Sequence, residues 1–338
     1  PITLLLKKQT ADGHGSGDTR LEGAEYTVKY YDILSDIDPA IAGNEAKYTW
    51  IFRTNERGYI FLADNYLVTG SDGLVKDISG MYTLPLGTIT LQETKAPEGY
   101  LLNDTVYVAQ TVLDSGNNTV RTTNLPTDDN AAQETPYEGT ISIQKFLGGG
   151  STVKTSEPDA EFEIYLTSAG SYDAAPEESR QTITTDANGY AITKRLPYGT
   201  YTVHQTKGNN KYYFVDDMEI TISENNANYH KILEDSPIEF YIKMVKKDAD
   251  TGNTVNVAGT TFELYDDNGS KISFNIMTSS GMQTIDSFTT DENGCVYTTE
   301  KLLKGNYTLV ETKAPDGYVL DSTPVQFTVS EDTYKADG

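Results

Sequence analysis

The sequence predicts an all-β protein built of three tandem β-sandwich domains. Short runs rich in Thr, Tyr, Val and Ile alternate between polar and apolar side chains, as in residues 140–145, which is typical of strands with one buried face. Asn-Gly pairs at 188–189, 268–269 and 293–294 indicate tight turns between such strands. In addition, three phrases recur in the same order at intervals of about a hundred residues, too long for a solenoid unit and suited to one domain per copy.

The three phrases define the repeat. The first is a short apolar strand that ends in lysine, at residues 2–7, 141–145 and 242–246. The second is a polar turn with a glycine that leads into a new strand, at residues 54–59, 185–190 and 290–295. The third is a strand that begins Gly-x-(Tyr/Ile)-Thr, at residues 87–95, 199–207 and 305–313. We expect each set of three to belong to one antiparallel sandwich.

The spacing of the phrases predicts the domain boundaries. The domains are expected at 1–126, 140–237 and 238–338, and the polar stretch 127–139 is expected to be a linker. The interval from the turn to the third phrase is longer in the first copy, which predicts an insertion at about 62–81.

Composition excludes several classes of function. The chain of 338 residues has 50 acidic and 26 basic side chains, a net charge of −24, which argues against nucleic acid and anionic lipid as partners. One cysteine excludes an intrachain disulfide framework, and the three histidines have no paired spacing, so neither a metal nor a cofactor is expected. No targeting segment or membrane span is visible, so we expect a fragment whose secretion and anchoring segments have been removed.

A resemblance to a known family rests on four quoted stretches. They are 246–252 (Lys-Lys-Asp-Ala-Asp-Thr-Gly), 259–264 (Gly-Thr-Thr-Phe-Glu-Leu), 290–294 (Thr-Asp-Glu-Asn-Gly) and 311–318 (Glu-Thr-Lys-Ala-Pro-Asp-Gly-Tyr). The last signature returns at 93–100 as Glu-Thr-Lys-Ala-Pro-Glu-Gly-Tyr. The chain resembles, over essentially its whole length, the Cna B-type (SpaA-like, prealbumin-like) domains of Gram-positive surface adhesins and pilins.

The resemblance implies a fold and a chemistry. Such domains are inverse-immunoglobulin-like sandwiches, and many contain a self-formed isopeptide bond between a lysine on the first strand and an asparagine or aspartate on the last. A glutamate in the Glu-Thr signature promotes the bond. The physical requirements are clear, because burial favours a neutral, nucleophilic lysine and a protonated carboxylic acid that can polarise a carbonyl and shuttle protons. The reaction happens once within one molecule, so no turnover enzyme is expected.

The first domain offers all three groups. The family pattern points to Lys7 as the nucleophile, because an ungapped alignment with 246–252 selects it over Lys8, and to Glu93 as the acid. Asn124, at the end of the last predicted strand, is the expected acceptor. The alternative is that these are an exposed lysine, an exposed glutamate and a turn asparagine.

The second domain departs from the pattern. Lys145 and Asp235 match the lysine and the acceptor, but Gln205 takes the place of the acid. An amide cannot donate and recover a proton as a carboxylic acid does, so Lys145 and Asp235 are expected to remain an ion pair unless another acid such as Glu161 or Glu163 assists.

The third domain has Lys246 and Glu311, but the same spacing places its acceptor at 341 or 342, beyond the last residue given. It is therefore expected to lack its final strand, through truncation or because another segment supplies that strand.

The expected function is that of a structural stalk or pilin-like segment of an extracellular, cell-wall-anchored adhesin, stabilised by Lys–Asn isopeptide bonds. The alternative is an adhesive module in which the enlarged first domain binds a ligand, since Tyr and Trp side chains near 62–81 would suit an interface. Core cover is the favoured role of that insertion. Expected partners are a host or neighbouring cell-surface protein or glycan, or other pilus or adhesin subunits, without direct membrane insertion.

Overall fold

The computed structural model describes residues 3–10, 21–114, 116, 119–127, 130–149 and 153–333. Throughout these ranges the regular structure consists of β-strands and short 3₁₀ turns, and three separate hydrophobic cores follow one another along the chain. The all-β prediction is confirmed. No helix among the described residues is long and apolar enough to cross a membrane.

The first domain packs two sheets around a core that includes Trp50 and Phe52. Its strands are β1 (Leu4–Thr10), β2 (Glu25–Tyr31), β3 (Tyr48–Arg53), β4 (Tyr59–Phe61), β5 (Gly87–Lys95), β6 (Tyr100–Leu101), β7 (Val106–Asp114), β8 (Thr119–Thr123) and β9 (Ala132–Pro136), with 3₁₀ turns at Pro39–Ala42 and Asp64–Tyr66. One sheet has the order β3-β2-β5-β7-β8 and the other β4-β1-β9-β6. The first strand, β1, runs parallel to the last, β9.

The second domain repeats this plan. Its strands are β10 (Glu138–Leu147), β11 (Thr155–Ser156), β12 (Glu161–Leu166), β13 (Arg180–Thr184), β14 (Tyr190–Ile192), β15 (Leu196–Pro197), β16 (Gly199–Lys207), β17 (Tyr212–Tyr213), β18 (Met218–Ile222) and β19 (Asn228–Pro237), with 3₁₀ turns at Thr167–Ala169 and Glu177–Ser179. One sheet is β13-β12-β16-β18, and the other is β11-β10-β19-β17 with β14 and β15 also paired to β10. Strands β10 and β19 are parallel over eight residue pairs.

The third domain contains β20 (Glu239–Phe240), β21 (Lys243–Val245), β22 (Thr261–Asp266), β23 (Phe274–Thr278), β24 (Gly281–Ile285), β25 (Phe288–Thr289), β26 (Cys295–Tyr297), β27 (Leu302–Leu303), β28 (Gly305–Lys313) and β29 (Val325–Val329). Its main sheet is β25-β22-β28-β29, and β21 pairs with β26. The expected absence of a final strand concerns the chain after β29, where 334–338 lie outside the described residues, so it stays a prediction.

The stretch predicted as a linker, 127–139, has a different structure. It contains β9 and the first two residues of β10, and β9 is part of the first domain because it pairs with β1 and β6. Along β9, Ala132 and Glu134 are buried whereas Gln133 and Thr135 are exposed. The polar composition hid this strand, because its inward side chains are a small alanine and a carboxylate rather than large apolar groups.

The insertion at 62–81 lies against the first core. Leu62 is buried, and Tyr66, Leu67, Leu74 and Val75 pack on the core cluster. These five side chains give the insertion a role as core cover, whereas Ile78 and Met81 are exposed.

Candidate functional site

A buried cluster of ionisable side chains lies between the first and last strands of the second domain. Lys145 of β10 is fully buried, because its side chain lies on the inward face with Ile141 and Ile143. Its Nζ lies 2.5 Å from Asp235 Oδ1 on β19 and 3.2 Å from Glu157 Oε2. Asp235 is also fully buried, so the amine and a carboxylate face each other without water between them.

Gln205 holds the other side of the Asp235 carboxylate. This residue lies on β16, the central strand of the facing sheet, and its Nε2 donates to Asp235 Oδ2 at 2.9 Å. The backbone N–H of Val215 donates to Asp235 Oδ1 at 3.1 Å. Both oxygens of the carboxylate therefore have hydrogen-bond donors in addition to the lysine.

Glu157 is the second carboxyl group of this cluster. Its Oε1 accepts a hydrogen bond of 2.6 Å from the backbone N–H of Asn209, whereas its buried Oε2 forms an ion pair with Lys145. Burial raises the pKa of the Glu157 carboxyl and Asp235 adds to the rise, whereas the Asn209 N–H and Lys145 lower it. Glu157 is therefore set up to take up and release a proton more readily than an exposed glutamate.

The first domain contains a cluster of the same kind. Lys8 on β1 is buried, and its Nζ contacts carboxylate oxygens of both Glu93 on β5 and Glu134 on β9. It also lies 5.0 Å from the centre of the Tyr26 ring. Burial raises the pKa of Glu134 to about 7; Lys8 opposes the rise and Glu93 adds to it.

The third domain contains the lysine and the acid. Lys246 Nζ lies 2.6 Å from Glu311 Oε2, with side chains 13% and 5% exposed. Among the described residues, no carboxylate or amide from a last strand joins this pair, and the other oxygen of Glu311 is buried without a hydrogen bond.

Backbone pairing shows which residues of the three clusters correspond. The backbone N–H groups of the three lysines donate to the turn glycines of the second sequence phrase, in the pairs Lys8–Gly58, Lys145–Gly189 and Lys246–Gly294. The third-phrase positions also correspond, because they pair across the sheet with an aromatic residue in every domain: Glu93–Tyr26, Gln205–Phe162 and Glu311–Phe262. The alignment of the repeats therefore placed Glu93, Gln205 and Glu311 at equivalent positions, as the strand pairing does.

The predicted partners in the first domain lie elsewhere. Lys7 is half-buried and pairs with Tyr59 in the sheet, while Asn124 is exposed in a turn with φ of 62°. The structure therefore brings Lys8 and Glu134 to Glu93 in place of Lys7 and Asn124. The physical reason for the lysine is an irregularity in β1 between Leu4 and Leu6, which buries Leu5 and Leu6 in succession and turns Lys8 inward.

The alternative acids named for the second domain are also outside its cluster. Glu161 accepts a hydrogen bond of 2.9 Å from the Thr206 hydroxyl, and Glu163, like Glu161, is half-buried on the opposite face of β12 from Phe162. The acid that lies at Lys145 is Glu157, which sequence reasoning missed because it lies before β12, outside the three recurring phrases. In the part of the chain that the structure describes, no group of His, Cys, Asp or Glu side chains is arranged to hold a metal ion.

Three solved structures are among those that match this chain. The Bacillus anthracis TIE protein is 21% identical to this chain, with a TM-score of 0.48. The alignment covers 97% of this chain and 48% of the TIE chain. A variant of BcpA, the major pilin subunit of Bacillus cereus, is 15% identical, with a TM-score of 0.36. The alignment covers 98% of this chain and 97% of the BcpA chain. The shaft pilin SpaA from Lactobacillus rhamnosus GG is 19% identical, with a TM-score of 0.27. The alignment covers 57% of this chain and 93% of the shaft pilin chain. The present chain thus spans about half the length of the first of these.

No curated protein sequence matches this chain. The sequence profile of the SpaA prealbumin-like fold domain, in contrast, matches three segments: 8–126, 150–236 and 240–337. These segments cover most of the chain, and each contains most of the residues of one hydrophobic core. The protein therefore belongs to the SpaA family of prealbumin-like domains.

Proposed function

We propose that this chain is a stalk or pilin-like segment of an extracellular, cell-wall-attached Gram-positive surface protein, and that amide bonds formed within its first two domains stabilise it. The membership in the SpaA family supports the structural role. The observation that carries the proposal is a buried lysine in each of these domains that contacts a buried carboxylate on the parallel last strand: Lys8 with Glu134, and Lys145 with Asp235.

Condensation would relieve the cost of burying these charges. Moving an ammonium and a carboxylate out of water costs several kcal/mol per ion, and their attraction offsets this only in part. When Nζ bonds to the carboxyl carbon, one C–O bond breaks and the ammonium gives up two protons, which leave with that oxygen as water. The product is a neutral amide. The reaction needs no co-reactant. Because the fold already holds the two groups in contact, the reaction does not carry the entropy cost of bringing them together.

The bonds would also constrain the unfolded chain. Linking Lys8 to Glu134 or Lys145 to Asp235 closes a loop on the order of a hundred residues, which the chain-entropy estimate values at roughly 5 kcal/mol. That is a large fraction of the stability of a typical domain. A surface protein with one cysteine gains in this way what disulfides provide in other extracellular proteins.

Intact mass spectrometry of the purified chain tests the proposal. We expect a mass two waters below that of the unmodified sequence, and proteolysis should yield two branched peptides, Lys8 joined to Glu134 and Lys145 joined to Asp235. A folded chain with the full unmodified mass would contradict the proposal.

Ligand binding by the first domain is the second candidate function. The observation that favours it is the hairpin closed by the bridge between Lys76 and Tyr82, which exposes Ile78 fully and Met81 by 44%. Exposed apolar side chains of this kind can serve as contacts. Replacing Ile78 and Met81 with serine should abolish cell attachment if the hairpin binds a ligand, and should leave attachment unchanged if the domain only supports a stalk.

A further inference from the structure

The second domain carries an amide where the other two domains carry an acid. Gln205 corresponds to Glu93 and Glu311, which contact the lysines of their own clusters. An amide cannot carry a proton between the amine and the departing oxygen. If Lys145 and Asp235 condense, another group must do so.

The position of Glu157 shows the opposite exchange. Its backbone N–H donates to the carbonyl of Lys145, as Val255 does to Lys246, and its carbonyl accepts from the hydroxyl of Thr185, as Leu21 does from Thr54. Glu157 therefore corresponds to Leu21 in the first domain and to Val255 in the third. Where the central strand has the carboxyl group this second position is apolar, and where the central strand has the amide it is acidic.

We propose that Glu157 is the catalytic acid–base of the Lys145–Asp235 bond and that Gln205 is a positioning residue for the acceptor. The assignment rests on the proposed bond itself. It relocates the proton-transferring carboxyl group of the second domain from the central strand, β16, to the segment just before β12.

The geometry fits this role. Glu157 Oε2 lies 3.2 Å from Lys145 Nζ in a buried ion pair, so it is within reach of a proton on the amine. Its other oxygen is fixed by the 2.6 Å hydrogen bond from the Asn209 N–H. Gly208 packs closely on the Glu157 carboxylate, because a Cβ at this glycine would lie 2.9 Å from Glu157 Oε1.

The protons balance within the cluster. Asp235 Oδ1 takes the first proton from Nζ across their 2.5 Å contact, which produces a neutral amine and a neutral acid. The amine attacks the carboxyl carbon, and Glu157 accepts the second proton from nitrogen and returns it to the departing oxygen, which leaves as water. Glu157 ends unchanged. Gln205 Nε2, which donates to Oδ2, stabilises the negative charge that develops on that oxygen.

The variant Glu157→Gln tests the role of Glu157 in the full chain, and Glu161→Gln is its matched control, because Glu161 is a nearby glutamate outside the cluster. Peptide mapping after proteolysis reports both bonds separately. We expect Glu157→Gln to lose the Lys145–Asp235 peptide and retain the Lys8–Glu134 peptide, whereas Glu161→Gln retains both. An undiminished Lys145–Asp235 bond in Glu157→Gln would overturn the role of Glu157. Absence of that bond from the wild-type chain would instead overturn the proposed function for this domain.

The double variant Glu157→Leu/Gln205→Glu provides a second test that does not depend on loss. It installs the arrangement of the first domain in the second, so the bond should form again, with a circular dichroism spectrum like that of the wild type. If the single variant lacks the bond and the folded double variant fails to recover it, the exchange of positions is not the explanation and the proposal fails.

Discussion

Glu134 occupies in the first domain the position that Asp235 occupies in the second. Lys8 faces Ala132 across the parallel β1–β9 pair, and Lys145 faces Leu233 across β10–β19, so each carboxylate lies two residues beyond the partner of its lysine. Side chains two residues apart on a strand lie on the same face of the sheet. Both carboxylates therefore face the core beside the lysines. The proposed acceptor of the first domain, Glu134, therefore lies on the last strand before the second domain.

Replacing the first-domain lysines one at a time distinguishes Lys7, the nucleophile predicted from the sequence, from Lys8, the nucleophile that we propose. Lys8→Met leaves Glu93 and Glu134 buried without a cation, so we expect it to destabilise the first domain by at least about 3 kcal/mol and to remove one water loss. Lys7→Met, which changes a half-buried side chain in the sheet, should cost no more than about 0.5 kcal/mol. Calorimetry and intact mass measure both. The reverse order of effects would restore Lys7 as the nucleophile.

The acceptor can be identified by its leaving group. Glu134→Gln and Asp235→Asn each replace a carboxyl oxygen with nitrogen while preserving the shape of the side chain, so each amide bond should then form with loss of ammonia instead of water. High-resolution mass spectrometry distinguishes the two losses. A Glu134→Gln chain that still loses two waters would show that the bond partner in the first domain is another residue.

The stability of the unbonded first domain should depend on pH. In Glu93→Gln, which lacks the proposed acid, Glu134 remains a free carboxyl group whose pKa burial still holds above its ordinary value of 4.5, although the contribution of Glu93 to that rise is removed. The folded state then binds a proton that the unfolded state has released, so the contribution of this group to stability is fully present below about pH 4.5 and is lost as the pH rises through the raised pKa. In the bonded wild type this group no longer titrates. The melting temperature of the variant should therefore fall relative to wild type across this window, and parallel profiles would contradict the assignment.

Two glycines with the same backbone conformation differ in their contact with the second cluster. Gly189 and Gly170 have φ of 74° and 78°, so alanine should cost about 1 kcal/mol at either position from backbone strain alone. At Gly189 the added Cβ would also collide with the Lys145 carbonyl oxygen, whereas at Gly170 it meets no atom within 4 Å. We expect Gly189→Ala to be the more destabilising and to slow formation of the Lys145–Asp235 bond. Equal melting temperatures for the two variants would argue against this coupling.

The parts of the molecule that recur in the sequence could be predicted from it. Turn glycines and Gly-x-(Tyr/Ile)-Thr strands occur at fixed intervals, so the sandwich fold and the positions of Glu93, Gln205 and Glu311 follow from alignment of the copies. These positions are set by strand pairing, which is the same in every domain.

The remaining parts depended on local departures that leave no periodic signal. The irregularity near Leu5 shifted the inward face of β1 by one residue, and one residue is enough to exchange the faces of a strand. Strand β9 buries Ala132 and Glu134, and a stretch with such small and charged residues is typical of a linker in the sequence. One signal was available: from Glu134 to Lys145 and from Asp235 to Lys246 the chain advances by the same 11 residues.

That equal interval has a mechanical consequence. Strand β9 passes into β10 through Tyr137 alone, so with both bonds formed a pulling force would run from Lys8 across the amide to Glu134, along eleven residues to Lys145, and across the next amide to Asp235. The residues between Lys8 and Glu134 would carry none of the load. Fully stretched, an eleven-residue connection spans at most roughly 40 Å, and much of it is already extended as strand. Under tension the two domains would therefore behave as a nearly inextensible tether whose length barely changes before a covalent bond breaks.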